Sequence, residues 1–327
     1  MITAVTGATG HLGYPTVREL LLKGHEVRVL KRRTSNFESF KNIDVESRVI
    51  DLNDNNSLSK ALQGVNVLIH MASKISVMPL MKRQLVQTNV IGTNNILNAA
   101  ISQKVERFVY VGSIHSIPEP GKNKPLDENI KIDERHVSGN YGYTKALATN
   151  LVLKAGKSSR IETLAICPTG LVGPFDVGTS HMGTVIKNYI DGKFPFFING
   201  GYDFIDVREV AKVLAKSVTH GLNAQHYILG GHYLGIKELF GYLSDLTDVQ
   251  YPQFAIPLSV ARFLSYPNAY IHRLLGMSTL FTPDSISTLR QNANISKRLA
   301  FSTFKVPTIP WKESITDQVS WYKDGKF

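Results

Sequence analysis

What most constrains this chain is a regular alternation in its first half. Short β-branched runs recur at Ile2–Thr6, Glu26–Leu30, Arg48–Asp51, Val65–Ile69, Arg107–Val111 and Glu162–Ile166, with helical patterns between them. The runs are apolar almost without interruption, as expected of strands buried on both faces. Val86, Val90, Asn94, Leu97 and Ile101, in turn, recur at the spacing of one helix face. Such alternation predicts an α/β fold: a doubly wound parallel sheet with helices on both sides, joined by right-handed crossovers. After Cys167-Pro168, Pro and Gly become frequent and the alternation weakens. A helix from about Asp206 to Val218 and a strand-like run at Tyr227–Leu229 bring the chain back to the sheet. The expected organisation is a sheet domain over residues 1–167, rejoined by 203–229. A smaller C-terminal lobe of residues 168–202 and 230–327 then covers the carboxyl ends of the strands, where ligands sit in doubly wound sheets.

Composition narrows the setting. A chain of 327 residues accommodates a core and a second lobe, and 43% hydrophobic with 19% charged residues is ordinary for a globular protein. No run approaches the roughly 18–20 uncharged apolar residues that cross a bilayer, so no integral membrane segment is expected. Met1 leads at once into a strand-like run, so no signal peptide is expected, and one cysteine, Cys167, fits a reducing cytoplasm. The ten histidines form no HExxH, so no metal site is expected. A net charge of +11 raises the question of nucleic acid, but the basic residues are scattered rather than gathered in a stripe with aromatics. A polyanionic cofactor and a solvated surface account for the charge equally well.

Directly after the first strand comes Thr6-Gly7-Ala8-Thr9-Gly10-His11-Leu12-Gly13, followed by a helix through Val17, Leu20 and Leu21. Gly7 permits a tight turn, Gly10 lets backbone approach a pyrophosphate, and Gly13 lets helix and strand pack closely. The helix N-terminus presents free N–H groups and partial positive charge to phosphates. The flanking strand and helix supply the context that a bare glycine pattern lacks, and together they predict a Rossmann-type dinucleotide site. The segment resembles the Thr-Gly-x-x-Gly-x-x-Gly of extended short-chain dehydrogenases/reductases.

The end of the second strand selects between cofactors. A carboxylate there suits a ribose 2′-hydroxyl, whereas arginine suits a 2′-phosphate. Here the chain reads Leu30-Lys31-Arg32-Arg33-Thr34, three cations and no acid. Arg32, supported by Lys31 and Arg33, therefore predicts NADP(H) rather than NAD(H), although a basic turn can also be merely solvated. The resemblance implies further cofactor contacts. Asp51-Leu52 matches the family's adenine-contacting pair, His70-Met71-Ala72-Ser73 the segment along the cofactor, and Asn89-Val90-Ile91-Gly92-Thr93 its Asn-Val-x-Gly-Thr helix. Asp51 and Asn89 equally suit helix caps or buried hydrogen-bonding groups.

Reducing a carbonyl requires a proton for the developing alkoxide, and a tyrosine with a nearby ammonium can supply it. Four Tyr-x-x-x-Lys pairs occur: Tyr141/Lys145, Tyr189/Lys193, Tyr233/Lys237 and Tyr322/Lys326. The pairs at 189 and 322 span Asp-Gly, a turn signal, and that at 233 contains Gly235. Only Tyr141/Lys145 opens a good helix between the fifth and sixth strands, which places both residues on one face. Ser113 closes the fifth strand where the resembling family carries its catalytic Ser or Thr. Gly112 departs from the family's frequent pair of hydroxyl residues there, leaving Ser116 as a second candidate. Cys167 reads as a small buried residue. Ser113, Tyr141 and Lys145 are the expected catalytic set, with Tyr141, Lys145 and Pro168 also against the cofactor.

Cys167-Pro168-Thr169-Gly170-Leu171-Val172-Gly173-Pro174-Phe175 is similar to the Asn-Pro-Thr-x-Val-x-Gly-Pro segment of the dihydroflavonol reductase-like branch. That implies an NADPH-dependent reductase of a ketone or aldehyde on a small, fairly apolar molecule. A sugar or nucleotide-sugar epimerase/dehydratase is the first alternative, although such enzymes often carry Asn where Gly170 stands. A non-catalytic NADP-binding regulator is the second. Val77, Met78, Phe175, Phe196 and Phe197 are candidate pocket residues, although such side chains are more often core. The resemblance implies a homodimer. The basic, amphipathic stretch Val260–Leu275 fits either packing on the lobe or contact with a membrane surface.

Overall fold

The computed structural model describes residues 1–76, 81–121, 124–177, 180–275, 277, 279–290 and 294–325. Val77, Met78, Gly178 and Lys326 lie outside the described residues. Six strands form in the first half: β1 (Ile2–Thr6), β2 (Glu26–Lys31), β3 (Glu46–Val49), β4 (Val67–His70), β5 (Arg107–Val111) and β6 (Glu162–Pro168). Six more follow: β7 (Gly170–Val172), β8 (Phe196–Ile198), β9 (Gly201–Asp206), β10 (Gln225–Leu229), β11 (His232–Gly235) and β12 (Phe254–Ile256). Seven of them make one parallel sheet in the order β10-β6-β5-β4-β1-β2-β3. This is the doubly wound, Rossmann-type arrangement that the alternation predicted.

The continuous apolar runs have a direct cause. Ala4, Leu68 and Phe108 belong to the core on one face of the sheet, while their neighbours Val5, Ile69 and Val109 belong to the core on the other. Successive side chains point to opposite faces, so a strand covered on both needs apolar residues at every position. The boundaries shift where turns compete. Val65 is drawn into the turn that ends the Asn55–Ala61 helix, its N–H donating to the Leu62 carbonyl at 3.1 Å, so β4 begins at Val67. β3 lies at the sheet edge and is largely exposed, which is why its apolar residues gave a poor guide to its start.

The helical pattern around Asn89 is one continuous helical stretch with a defect. Lys82–Leu85 and Gly92–Ser102 are α-helical, but Val86–Ile91 forms a π-helical turn. Such turns are uncommon and concentrate at functional sites. The second half adds a three-stranded sheet, ordered β11-β9-β7, and a β8–β12 pair. β10 returns to the main sheet beside β6, with Leu229 opposite Pro168. No helix among the described residues is long and apolar enough to cross a membrane.

Candidate active site

The expected cofactor and catalytic segments, apart from the Asn89 helix and the Tyr141 helix, lie at the carboxyl ends of strands of the main sheet. The glycine loop follows β1, Arg32 and Arg33 follow β2, Asp51 and Leu52 follow β3, Met71–Ser73 follow β4, and Ser113 follows β5; Pro168 ends β6.

The three loop glycines do different work. Gly7 has φ +71°, and a Cβ there would meet Ala72 N and Met71 C at 2.9 Å. At Gly13 a Cβ would lie 2.1 Å from Gly7 O and 2.5 Å from Ala8 C, all backbone. The chain's own packing therefore demands both glycines. At Gly10 a Cβ would meet only Gly7 O, at 3.4 Å, so nothing inside the molecule excludes a side chain there. The Gly13–Leu22 helix has no side-chain N-cap, and the N–H groups of His11 and Leu12 have no acceptor among the described residues. Unpaired helix N-terminal donors beside open backbone fit an anionic phosphate. The His11 side chain is turned elsewhere. Its Nε2 donates toward the carbonyls of Gly173 and Pro174, at 3.2 and 3.0 Å, tying the loop to the chain beyond β7. Burial holds that imidazole below its ordinary pKa, hence neutral.

Arg32 and Arg33 are exposed, and neither guanidinium has a partner among the described residues. The Lys31 ammonium lies 4.5 Å from the Phe37 ring centroid. Asp51 is exposed and its carboxylate caps Asn53, accepting from the backbone N–H at 2.9 Å. Leu52 packs where Gly92 has no side chain.

A residue read in the sequence only as the first of the segment along the cofactor organises the centre. His70, at the end of β4, is buried and pushed down to about 3 by desolvation, so it is neutral. Its Nδ1 lies 2.8 Å from Thr6 Oγ1 and its Nε2 lies 3.1 Å from Thr93 Oγ1. Thr93 donates to the Asn89 carbonyl, while Thr6 Oγ1 accepts from Met71 N and Ala72 N. These bonds are all satisfied if Nε2 carries the proton and Thr6 donates to Nδ1. The ends of β1 and β4 are thereby locked to the π-turn. No local pattern shows this, because the partners are 64 and 23 residues apart.

Asn89, placed by that turn, is fully engaged. Its Oδ1 accepts from Ser73 Oγ and Lys74 N, and its Nδ2 donates to Lys74 O and Thr144 Oγ1. Tyr141 lies in the Gly139–Ser158 helix, and the nearby hydroxyls of Ser113 and Ser73 pull its pKa down against the burial that raises it. Ser113 Oγ accepts from His115 N and Ser73 Oγ donates to Asn89 Oδ1, so both hydroxyls near Tyr141 are held in place. The His115 ring meets Tyr141 edge-on at 6.1 Å and stacks on Tyr202, whose hydroxyl is 3.0 Å from Nε2. Burial pushes His115 down to about 4, so it too is neutral.

Lys145 differs from expectation. Its Nζ donates to Val111 O at 2.6 Å and lies 4.5 Å from the Tyr110 ring centroid. Burial pushes it down to about 7, and pushes Tyr141 up to about 12. The sequence argument weighed only attraction between phenolate and ammonium; in this dry site desolvation outweighs it. Gly112 also finds its reason. A Cβ there would sit 2.7 Å from Cys167 Sγ, so the buried thiol occupies the room that a second hydroxyl residue needs. Ser116 turns its hydroxyl to Ser113 O at 2.6 Å, away from Tyr141. Of the apolar pocket candidates, Phe197 is core against Tyr251, while Phe175 packs on Tyr14 and Trp321 beside the glycine loop.

A doubly wound sheet with this loop and this edge is that of a dinucleotide-binding oxidoreductase. The chain belongs to the NAD dependent epimerase/dehydratase family, whose model matches residues 3–230, from β1 through the end of β10. It is 28% identical over 324 residues to a protein of Synechocystis sp. provisionally named dihydroflavonol 4-reductase, covering 98% of this chain and 94% of that one. It is 31% identical to sterol demethylase protein B of Methylococcus capsulatus, over 79% of this chain and 78% of the other. Among solved structures, that of gox2253 superposes with a TM-score of 0.86 at 27% identity, covering 99% of this chain and 98% of that one. The chain is thus an NAD(P)-dependent enzyme of the extended short-chain dehydrogenase/reductase superfamily.

Proposed function

We propose that this enzyme is an NADPH-dependent reductase of a ketone or aldehyde on a small, fairly apolar molecule, with Tyr141 as the proton donor. The observation that carries the reading is that the Ser113 and Ser73 hydroxyls, the latter bound to Asn89, lie near that of Tyr141 at the carboxyl edge of β4 and β5. NADPH would lie with its phosphates on the N–H groups of His11 and Leu12 and its 2′-phosphate toward Arg32 and Arg33, and it supplies the hydride. Ser113 and Tyr141 hold the carbonyl oxygen between their hydroxyls. As negative charge develops on that oxygen, Tyr141, a neutral phenol at physiological pH, gives it a proton. Lys145, one helical turn along, offsets the phenolate left behind. Residues 168–202 and 230–327 form the lobe that closes over the substrate.

Gly170 separates this reading from a nucleotide-sugar epimerase or dehydratase. A Cβ at 170 would meet the Phe204 ring at 2.6 Å and the Tyr202 ring at 2.9 Å, so the Asn that such enzymes often carry there has no room.

Arg32→Ala is expected to weaken NADPH binding by at least about tenfold while changing NADH binding less than about twofold, because only the former carries a 2′-phosphate. Calorimetric titration with both nucleotides checks this; an equal loss for both removes Arg32 as the phosphate ligand. The reductive rate has a predictable pH limb. Lys145 is charged below its folded pKa of about 7 and neutral above it, so turnover is expected to fall as pH rises through that value. A saturating rate that stays flat between about pH 6 and about pH 9 would show that the ammonium is not needed.

A further inference from the structure

The Leu258–Leu274 helix is built inside out. Its small residues Ala261, Ser265 and Ala269 face the protein, and its large apolar residues face away. Val260, Phe263, Leu264, Ile271, Leu274 and Leu275 recur at helical spacing and are all exposed, Phe263 by 77% and Leu274 by 69%. Tyr266 and Tyr270 flank them, also exposed. Scattered exposed leucines are normal, but a contiguous apolar stripe rarely faces water unless something covers it.

Charge points to what covers it. Arg262, His272 and Arg273 lie on the same helix, and no acidic residue occurs between Asp248 and Asp284. Two-fold pairing with a second copy would bring like charges together without a carboxylate from this segment to offset them. Apolar and aromatic side chains with flanking arginines, on a helix unable to span a bilayer, match instead a helix lying in the plane of an anionic lipid surface. The protein's net charge of +11 favours the same partner.

We propose that the Leu258–Leu274 helix attaches this enzyme to anionic bilayers. The attachment bears on the active site through a short path. Asn268 Nδ2 donates to Phe281 O at 2.8 Å, binding the helix to the segment that enters the Pro283–Thr288 helix. Asp284, in that second helix, has a carboxylate oxygen 3.0 Å from where a Cβ on Gly139 would stand, and Gly139 opens the helix that carries Tyr141. An apolar carbonyl compound dissolved in lipid would thus reach the enzyme at the side from which Tyr141 is supported. That delivery rests on the reductase reading; the attachment does not.

The test is sedimentation of the full-length protein with vesicles of phosphatidylcholine containing about one third phosphatidylglycerol. The wild type should co-sediment, less so with phosphatidylcholine alone and less at high salt. Phe263→Glu combined with Leu274→Glu should lower partitioning at least about tenfold, since both side chains lose their burial in lipid, while turnover of a water-soluble aldehyde stays within about twofold. Tyr141→Phe should bind vesicles like the wild type, so failure of the catalytic assignment and failure of the attachment are separable. A wild type that stays in the supernatant, or a double variant that partitions unchanged, overturns the proposal. So does a wild-type dimer that ignores vesicles and is split by the double substitution, which would assign the face to a second copy.

Discussion

Tyr141→Phe is expected to lower turnover at least about a hundredfold while leaving NADPH affinity within about threefold. The substitution removes one oxygen and keeps the ring, so the edge contact with His115 survives. What disappears is the proposed proton donor beside the Ser113 and Ser73 hydroxyls. A positioned acid contributes typically 10²–10⁴ in rate, and a hundredfold loss corresponds to about 2.7 kcal/mol of transition-state stabilisation. The nucleotide contacts proposed for the glycine loop and the basic turn are untouched. Steady-state kinetics with a carbonyl substrate, paired with calorimetry, check both halves. Retained turnover would sink the assignment of Tyr141 and move attention to Ser113 with a bound water.

The second large effect contrasts two glycines three residues apart. Gly13→Ala should cost more than about 3 kcal/mol of stability, because every atom its Cβ would meet within 2.5 Å is backbone and cannot rotate away. The helix must then back off from the turn after β1, and dinucleotide binding should fail with it. Gly10→Ala should leave the melting temperature within about 2 °C, since its Cβ meets one carbonyl oxygen at ordinary distance. Its NADPH affinity should nevertheless fall at least about tenfold, because the methyl group would stand where the pyrophosphate approaches. Thermal denaturation and nucleotide titration of both variants provide the check. A Gly10→Ala protein that binds normally would mean that the phosphates do not lie on this loop.

The parts legible in the sequence were those written locally. β1 and β5 have the predicted bounds, because burial on both faces leaves an unbroken apolar signature. The glycine loop, Ser113 and Tyr141 could be singled out because each sits beside a strand or helix end that the pattern already marked. What was missed depends on partners distant in the chain. His70 reads as an odd polar end to a strand until Thr6 and Thr93 are beside it. Gly112 looked like a departure until Cys167 filled its space. Lys145 lies in the expected helix, yet its electrostatics were misjudged, because burial cannot be counted from an i, i+4 spacing. The late helix shows the limit of amphipathicity itself. Apolar residues at helical spacing say that two faces differ, and only the packing of Ala261, Ser265 and Ala269 says which one is turned inward.

The return of β10 to the sheet has a consequence for synthesis. β6 has β5 on one side from the moment it forms, but its other neighbour is residues 225–229, made only after the excursion through β7, β8 and β9. While the ribosome is still adding that excursion, the nascent chain holds a long, apolar, unpaired strand edge, the kind that recruits other chains. The native partner arrives with a reward of five backbone pairings from Gln225↔Leu164 to Leu229↔Pro168. Translation speed between codons 168 and 225 and chaperone access to β6 should therefore govern how much soluble enzyme a cell obtains, and a fragment ending at 167 would keep that edge open permanently.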